Sequence, residues 1–155
     1  MSRVPPNPGT PWLMVGAGLS TLAALLHVGV IIGGPEWYRF FGAPESYAVA
    51  ASRGSIIPAL VTCGIAAVLA SWALFAASGA GLIVRLPLLR IALGAIAAIY
   101  LARGLLLIPV ILYVPYPEGA FDYWSSAIVL VYGGAYAIGL WRAWPTLSSP
   151  SAANA

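Results

Sequence analysis

Apolar residues in this chain run in long segments instead of alternating with polar ones. Trp12–Gly33, Ser55–Ala77, Leu88–Tyr113 and Trp124–Trp144 are each rich in Leu, Ile, Val, Ala and Gly. Each is close to the ~20 residues that cross the hydrocarbon core of a bilayer. Backbone groups left unpaired in lipid are costly, so every such segment is predicted to be a helix. The short connections between them favour up-down neighbours. The pattern therefore predicts an all-α, integral membrane, antiparallel four-helix bundle over residues 12–144. Residues 1–11 carry four prolines, and residues 145–155 are rich in Ser, Pro and Ala. Both tails are predicted to be disordered. The first apolar segment is too long for a secretory signal, and no small-x-small cleavage site follows it closely, so it is read as an uncleaved anchor.

The connections carry local instructions of their own. Between the first two spans lies Gly33-Gly34-Pro35-Glu36-Trp37-Tyr38-Arg39-Phe40-Phe41-Gly42-Ala43-Pro44-Glu45. The Gly pair ends the first helix, and Pro35 with Glu36 suits the first turn of a new short one. Gly42 and Pro44 end that piece, and Pro44-Glu45 can open a segment leading into the second span. With Trp37, Tyr38, Phe40 and Phe41 together, the short helix is expected to lie in the membrane interface, as an anchor or as a lid over polar groups below it. On the other side, Gly79 and Gly81 suit a helix C-cap and Pro87 the start of the third helix. Pro109 is expected to kink or end that helix near its outer end.

Composition narrows the class. Hydrophobic residues make up 61% of the 155 positions and charged residues only 7%, whereas a soluble domain carries about 25% charged residues. The net charge of +3 arises from seven arginines and four acids. They are scattered singly, so nothing suggests nucleic acid as a partner. Cys63 is the only cysteine and His27 the only histidine. An intrachain disulfide, a CxxC pair, bis-His haem ligation and a zinc cluster are excluded within one chain. No metal and no cofactor is implied.

Charge also sets direction. One side would hold the N-terminus, the 78–90 connection and the C-terminus, with Arg3, Arg85, Arg90 and Arg142 and no acid. The other would hold Arg39 and Arg53 with Glu36, Glu45, Glu118 and Asp122. The bias of arginines predicts both termini in the cytoplasm. Trp and Tyr fall near the two interfaces, except Tyr100, Tyr132 and Tyr136, which lie within spans and need partners for their hydroxyls.

Helices in lipid associate through small residues and interhelical hydrogen bonds. Gly16, Ser20, Ala23 and His27 share a face of the first span. Ser55, Ala59, Thr62, Ala66 and Ala70 share one of the second, Ile96, Tyr100, Arg103 and Leu107 one of the third, and Ser125, Tyr132, Tyr136 and Gly139 one of the fourth. Arg103 is the conspicuous member. A charge inside a span costs roughly 2.5–3.5 kcal/mol on insertion scales and normally faces protein or water. The topology gathers His27, Thr62, Tyr100, Arg103, Ser125 and Ser126 in the outer half, with Glu36, Glu45, Glu118 and Asp122 above them. The candidate ligand-binding set is Arg103, His27, Tyr100, Thr62, Ser125, Asp122 and Glu36. Arg103 reads either as a structural arginine held by carbonyls or an acid (Asp122, Glu36 or Glu45), or as a cation at the base of an outward-facing pocket for an anionic or carbonyl-bearing ligand. His27 reads as a satisfied interhelical histidine, as a proton-responsive contact, or as a metal or haem ligand completed by a second chain. Cys63 reads as a small core residue.

Two stretches carry a resemblance: Gly-Gly-Pro-Glu-Trp-Tyr-Arg-Phe-Phe-Gly at 33–42, and Ser-Gly-Ala-Gly-Leu-Ile with Arg-Leu-Pro-Leu-Leu-Arg at 78–90. Over most of the chain between its tails, the sequence resembles a group of small uncharacterised four-helix integral membrane proteins of bacteria. The resemblance implies a membrane bundle in the bacterial cytoplasmic (inner) membrane and no activity.

The expected function is that of a non-enzymatic module binding a lipid, a small amphiphile or a partner protein through the outer polar cluster. Its expected partners are membrane lipids, a further copy of the chain or another membrane protein. The alternative is a dimeric transporter of a small, possibly anionic solute, since no acid lies within a span to receive a cation. An enzyme is disfavoured because no paired carboxylates, nucleophile–base set or metal cluster lies in a span.

Overall fold

The computed structural model describes residues 2–106, 108–109 and 120–148. Among these the regular structure is helical, apart from a single antiparallel bridge between Arg3 and Val84. Five helices follow in order: α1 Thr10–Phe40, α2 Glu45–Ser52, α3 Ile57–Gly79, α4 Leu89–Leu105 and α5 Ala120–Ser148. Three of them, α1, α3 and α5, are long and apolar enough to cross a membrane by length and composition. Their surfaces agree with that character: Leu25, Leu60 and Val131 are 62%, 60% and 62% exposed. Water-facing helices seldom leave so much aliphatic surface uncovered.

The α1 helix is broken where the sequence predicts. Gly34 has φ 68° and ψ −150°, a conformation essentially confined to glycine, and Pro35 disfavours a helical residue before it. The chain then resumes helix through Phe40 and turns at Gly42 into α2. The α4 helix is shorter than its predicted span. It has 17 residues and ends at Leu105. Pro109 has no N–H to offer the Leu105 carbonyl, so the hydrogen bond that would carry the helix past Leu105 is missing. The last part of the Leu88–Tyr113 span, together with Glu118 and residues 149–155, lies outside the described residues. Pro87 was expected to open α4; instead Leu88 occupies the N-cap with φ 53°.

The chain divides into two compact units, Ser20–Ser71 and the remainder. In the larger unit α4 packs along α5. The fully buried Leu13 side chain sits against Gly79 of α3 and Gly139 of α5, and Leu93 of α4 also reaches Gly79. Small residues thus admit a large one between the helices. Tyr136 is fully buried and its hydroxyl donates to the Trp72 carbonyl at 3.0 Å. Tyr100 meets Trp72, Tyr132 and Tyr136 with ring centroids 4.9, 5.3 and 5.6 Å away. The three tyrosines that fit neither interfacial belt therefore form one aromatic group within this unit.

The residues before α1 pair with the connection that precedes α4. Val4 is buried, Arg3 bridges Val84, and the Arg85 N–H donates to the Ser2 carbonyl at 3.2 Å. Asn7 then accepts from Gly9 N–H, and its own N–H donates to Thr10 Oγ1, leading into α1. Four prolines restrict this segment without preventing it from pairing with the 81–86 connection. That connection is itself closed by the buried Ser78. Its hydroxyl donates to the Val84 carbonyl at 3.0 Å and accepts from the Leu86 N–H at 2.9 Å. The α5 helix also runs on through Pro145 to Ser148, four residues past the predicted end of the last span.

The smaller unit holds α1 from Ser20 onward, all of α2 and α3 up to Ser71. Val30, Tyr38 and Ala48 are buried together, with Phe41, Ala43, Tyr47 and Ala51 packed around them. Here α2, read from sequence only as a lead into the second span, is a separate helix that folds against Tyr38. Ser55, predicted on the packing face of the second span, instead accepts a hydrogen bond from the Ile57 N–H and caps α3.

Candidate functional site

The candidate residues fall in both units, and each set is described in its own unit. In the larger unit Arg103 stands in the last turn of α4. Basic side chains are favoured there by the negative end of the helix dipole. Arg103 is exposed, and its Nη1 donates to Ser126 Oγ of α5 at 3.4 Å, a long bond to a neutral group. The approach of the two helices at this level depends on Gly104. A Cβ there would stand 2.5 Å from Leu130 Cγ and 3.1 Å from the Ser126 carbonyl oxygen. Among the described residues Arg103 has no ion pair. Tyr100, one helical turn before it, is buried in the aromatic group. Ser125 turns back to its own helix and donates to the Asp122 carbonyl at 3.2 Å. Asp122 lies in the first turn of α5, where a carboxylate complements the exposed backbone N–H groups.

In the smaller unit His27 is half-buried, and its Nδ1 lies 2.8 Å from the Ala23 carbonyl. A carbonyl only accepts, so Nδ1 carries the hydrogen. Thr62 is buried and gives its hydrogen to the Pro58 carbonyl at 2.8 Å. The Tyr38 hydroxyl, 3.4 Å from Thr62 Oγ1, must then act as the donor between those two.

Of the aromatic residues expected in an interfacial lid, the structure separates one from the others. Trp37 and Phe40 are 44% and 76% exposed, and Phe41 is half-buried. Tyr38 is 3% exposed and belongs to the core of its unit. Trp37 lies over Gly33 of its own helix, in space that any side chain at that position would fill. Glu36, Trp37, Arg39, Phe40 and Phe41 line an open surface cleft of about 680 Å³.

The acids of this segment are engaged locally. Arg39 bonds Glu36 at 2.6 Å and grips both carboxylate oxygens of Glu45 at 2.9–3.1 Å. The hydrogen bonds from Arg39 hold the Glu45 carboxyl below the usual carboxylate range; desolvation opposes them, and the Arg39 charge adds a smaller effect in their direction. Those same bonds with Glu45, followed by the charges of Glu45 and Glu36, raise the Arg39 guanidinium above its ordinary value. A carboxyl whose folded pKa is depressed stabilises the fold above its unfolded pKa and loses that contribution as pH falls through the folded one. The α1–α2 clamp should hold at neutral pH and release only below the usual carboxylate range. Both partners are exposed, so the effect on stability is small. NMR titration of the Arg39 Nε–H should follow this low midpoint in the native chain and lose it in Glu45→Gln. An unperturbed midpoint would rule out the clamp.

Sequence reasoning missed a second group of polar contacts at the other end of the larger unit. Arg85 Nη2 donates to the Leu147 carbonyl at 2.5 Å, and Arg90 Nη1 donates to Ser148 Oγ at 2.8 Å. Arg90 also stacks on Trp144, its guanidinium 5.2 Å from the ring centroid, and Arg142 stacks on Trp12 at 5.8 Å. The sequence signals that could have marked this group are the absence of acids and the nearby tryptophans. No protein-family model, curated protein or solved structure matches this chain.

Proposed function

We propose that this chain is a multi-pass integral protein of the bacterial cytoplasmic membrane, an antiparallel four-helix bundle with both termini in the cytoplasm. In this reading it is a non-enzymatic module that binds a lipid, a small amphiphile or a partner protein through its outer polar residues. The three helices long and apolar enough to cross a membrane support the membrane reading. The α4 helix, about 25 Å long at 1.5 Å per residue, would be the fourth span. The bias of four arginines to two supports the orientation. The short helical piece carrying Trp37 and Phe40, with Phe41 just after it, would lie in the outer interface.

The observation that carries the binding role is the state of Arg103. It is an exposed cation near the end of α4, held by one long bond to a neutral hydroxyl. Arginine presents five donors in a planar fork suited to carboxylate or phosphate. A ligand with an anionic or carbonyl group would complete that fork. The test is native mass spectrometry of gently extracted protein, with Arg103→Gln and Arg103→Lys beside the native chain. The expected result is a bound lipid or amphiphile that Arg103→Gln loses and Arg103→Lys partly keeps. Equal retention in all three would sink the reading. Arg103-dependent anion flux in proteoliposomes would assign the residue to transport instead.

A further inference from the structure

The geometry points to a second anion site at the opposite end of α4: the cleft lined by Arg85 and Arg90 takes a phosphate group, carried in the membrane by an anionic phospholipid of the inner leaflet. The lipid source rests on the membrane reading above; the phosphate chemistry does not. The cleft measures about 490 Å³ and is bordered by Ser2 and by the continuous run from Arg85 to Ile91. Its lining is amphiphilic. Two arginines stand beside Leu88 and Ile91, which are 73% and 69% exposed and offer an acyl chain aliphatic surface next to the charges.

Charge balance within the chain carries the argument. Arg3, Arg85, Arg90 and Arg142 all belong to this unit, and the sequence contains no acid between Glu45 and Glu118. Glu36 and Glu45 are bound by Arg39. Asp122 lies at the start of α5, whereas Arg90 meets Ser148 at its end, roughly 40 Å of helix away at 1.5 Å per residue. Among the described residues the partners of Arg90 are a serine hydroxyl and a tryptophan ring, both neutral. These contacts orient the guanidinium without neutralising it. A planar cation fixed at the mouth of a cleft with no acid among its described lining residues is preorganised for two-pronged contact with phosphate oxygens. Basic pockets at the cytoplasmic ends of membrane helices are where anionic headgroups gather.

The experiment uses the full chain reconstituted in vesicles of phosphatidylcholine with one fifth phosphatidylglycerol. Flotation is scored first, and retained lipid is then read by native mass spectrometry. Arg90→Gln keeps a donor for Ser148 while removing the charge, so the fold has no reason to fail. Arg53→Gln, in the other unit, is the control. The native chain and Arg53→Gln should retain phosphatidylglycerol in preference to phosphatidylcholine. Arg90→Gln should lose that preference by roughly fivefold, the effect of one cation at an anionic surface. Phosphatidylglycerol that resists a large excess of inorganic phosphate marks a lipid site, and displacement by phosphate marks a site for soluble phosphate compounds. Equal retention of both lipids, or a preference unchanged in Arg90→Gln, overturns the proposal. Failure of the native chain to float strikes the membrane reading separately; phosphate binding lost in Arg90→Gln then still supports the cleft, and its absence overturns it.

Discussion

Gly34→Ala is expected to destabilise the Ser20–Ser71 unit by about 1–3 kcal/mol, the cost of holding an L-residue in a conformation that only glycine adopts readily. The local space makes this a clean test. A Cβ at Gly34 would meet nothing within 4 Å, so crowding contributes nothing and the whole effect lies in φ 68° and ψ −150°. The alanine chain has two choices, each costly. It can keep the break under strain, or it can straighten α1 and swing Tyr38 out of the pocket it shares with Val30 and Ala48. Gly64→Ala is the control, because Gly64 lies in α3 and likewise has open space around it. Alanine there should be neutral or slightly stabilising. Thermal unfolding in detergent gives the difference. Hydrogen exchange at Ala43, whose N–H bonds the Tyr38 carbonyl at 2.9 Å, shows which unit has loosened. Equal stability of the two variants would mean that the break at Gly34 is not required.

That break was legible because its cause is local. Gly33-Gly34-Pro35 supplies a flexible residue, a missing donor and a restricted neighbour within three positions, so no tertiary information is needed. The end of α4 was harder to read. Pro109 announces a stop, but apolar sequence continues beyond it, and hydropathy alone extends the span to Tyr113. Ending at Leu105 changes the meaning of Arg103: an expensive charge deep in a span becomes a last-turn cation favoured by the helix dipole and able to extend its long side chain outward. The pairing of Glu36 with Arg39 was implicit in an i, i+3 spacing. Tyr38 was not legible, because a helical piece of six residues is too short to show which of its three aromatics faces inward, and the packing of α2 decides it. The contacts of Arg85 and Arg90 with the end of α5 join residues 62 and 58 positions apart. No local pattern carries that information. In the sequence these arginines speak only of membrane orientation.

Gly139→Ala should destabilise the larger unit by about 1–3 kcal/mol through overpacking, and Gly139→Leu by more. The added Cβ would stand 2.8 Å from Leu13 Cδ2 and Cγ and 3.2 Å from the Leu13 backbone nitrogen. Leu13 can yield at its side chain but not at its backbone, and it is also confined on the Gly79 side. Leu13→Ala alone leaves a void and should fall toward the low end of the 2–5 kcal/mol typical of such changes. If the proposed membrane reading holds, the exposed alternative is already apolar, so the loss is mainly one of contact. The double variant is the informative one. The alanine at 139 and the shortened side chain at 13 compete for the same volume, so their combined cost should be less than the sum of the separate costs by about 0.5–3 kcal/mol. Gly134→Ala, on the same helix with nothing within 4 Å, should cost nothing. Additive costs for the Leu13 and Gly139 changes would mean that Leu13 is not seated between Gly79 and Gly139. The first, third and fifth helices would then have to meet by other contacts at that end of the unit.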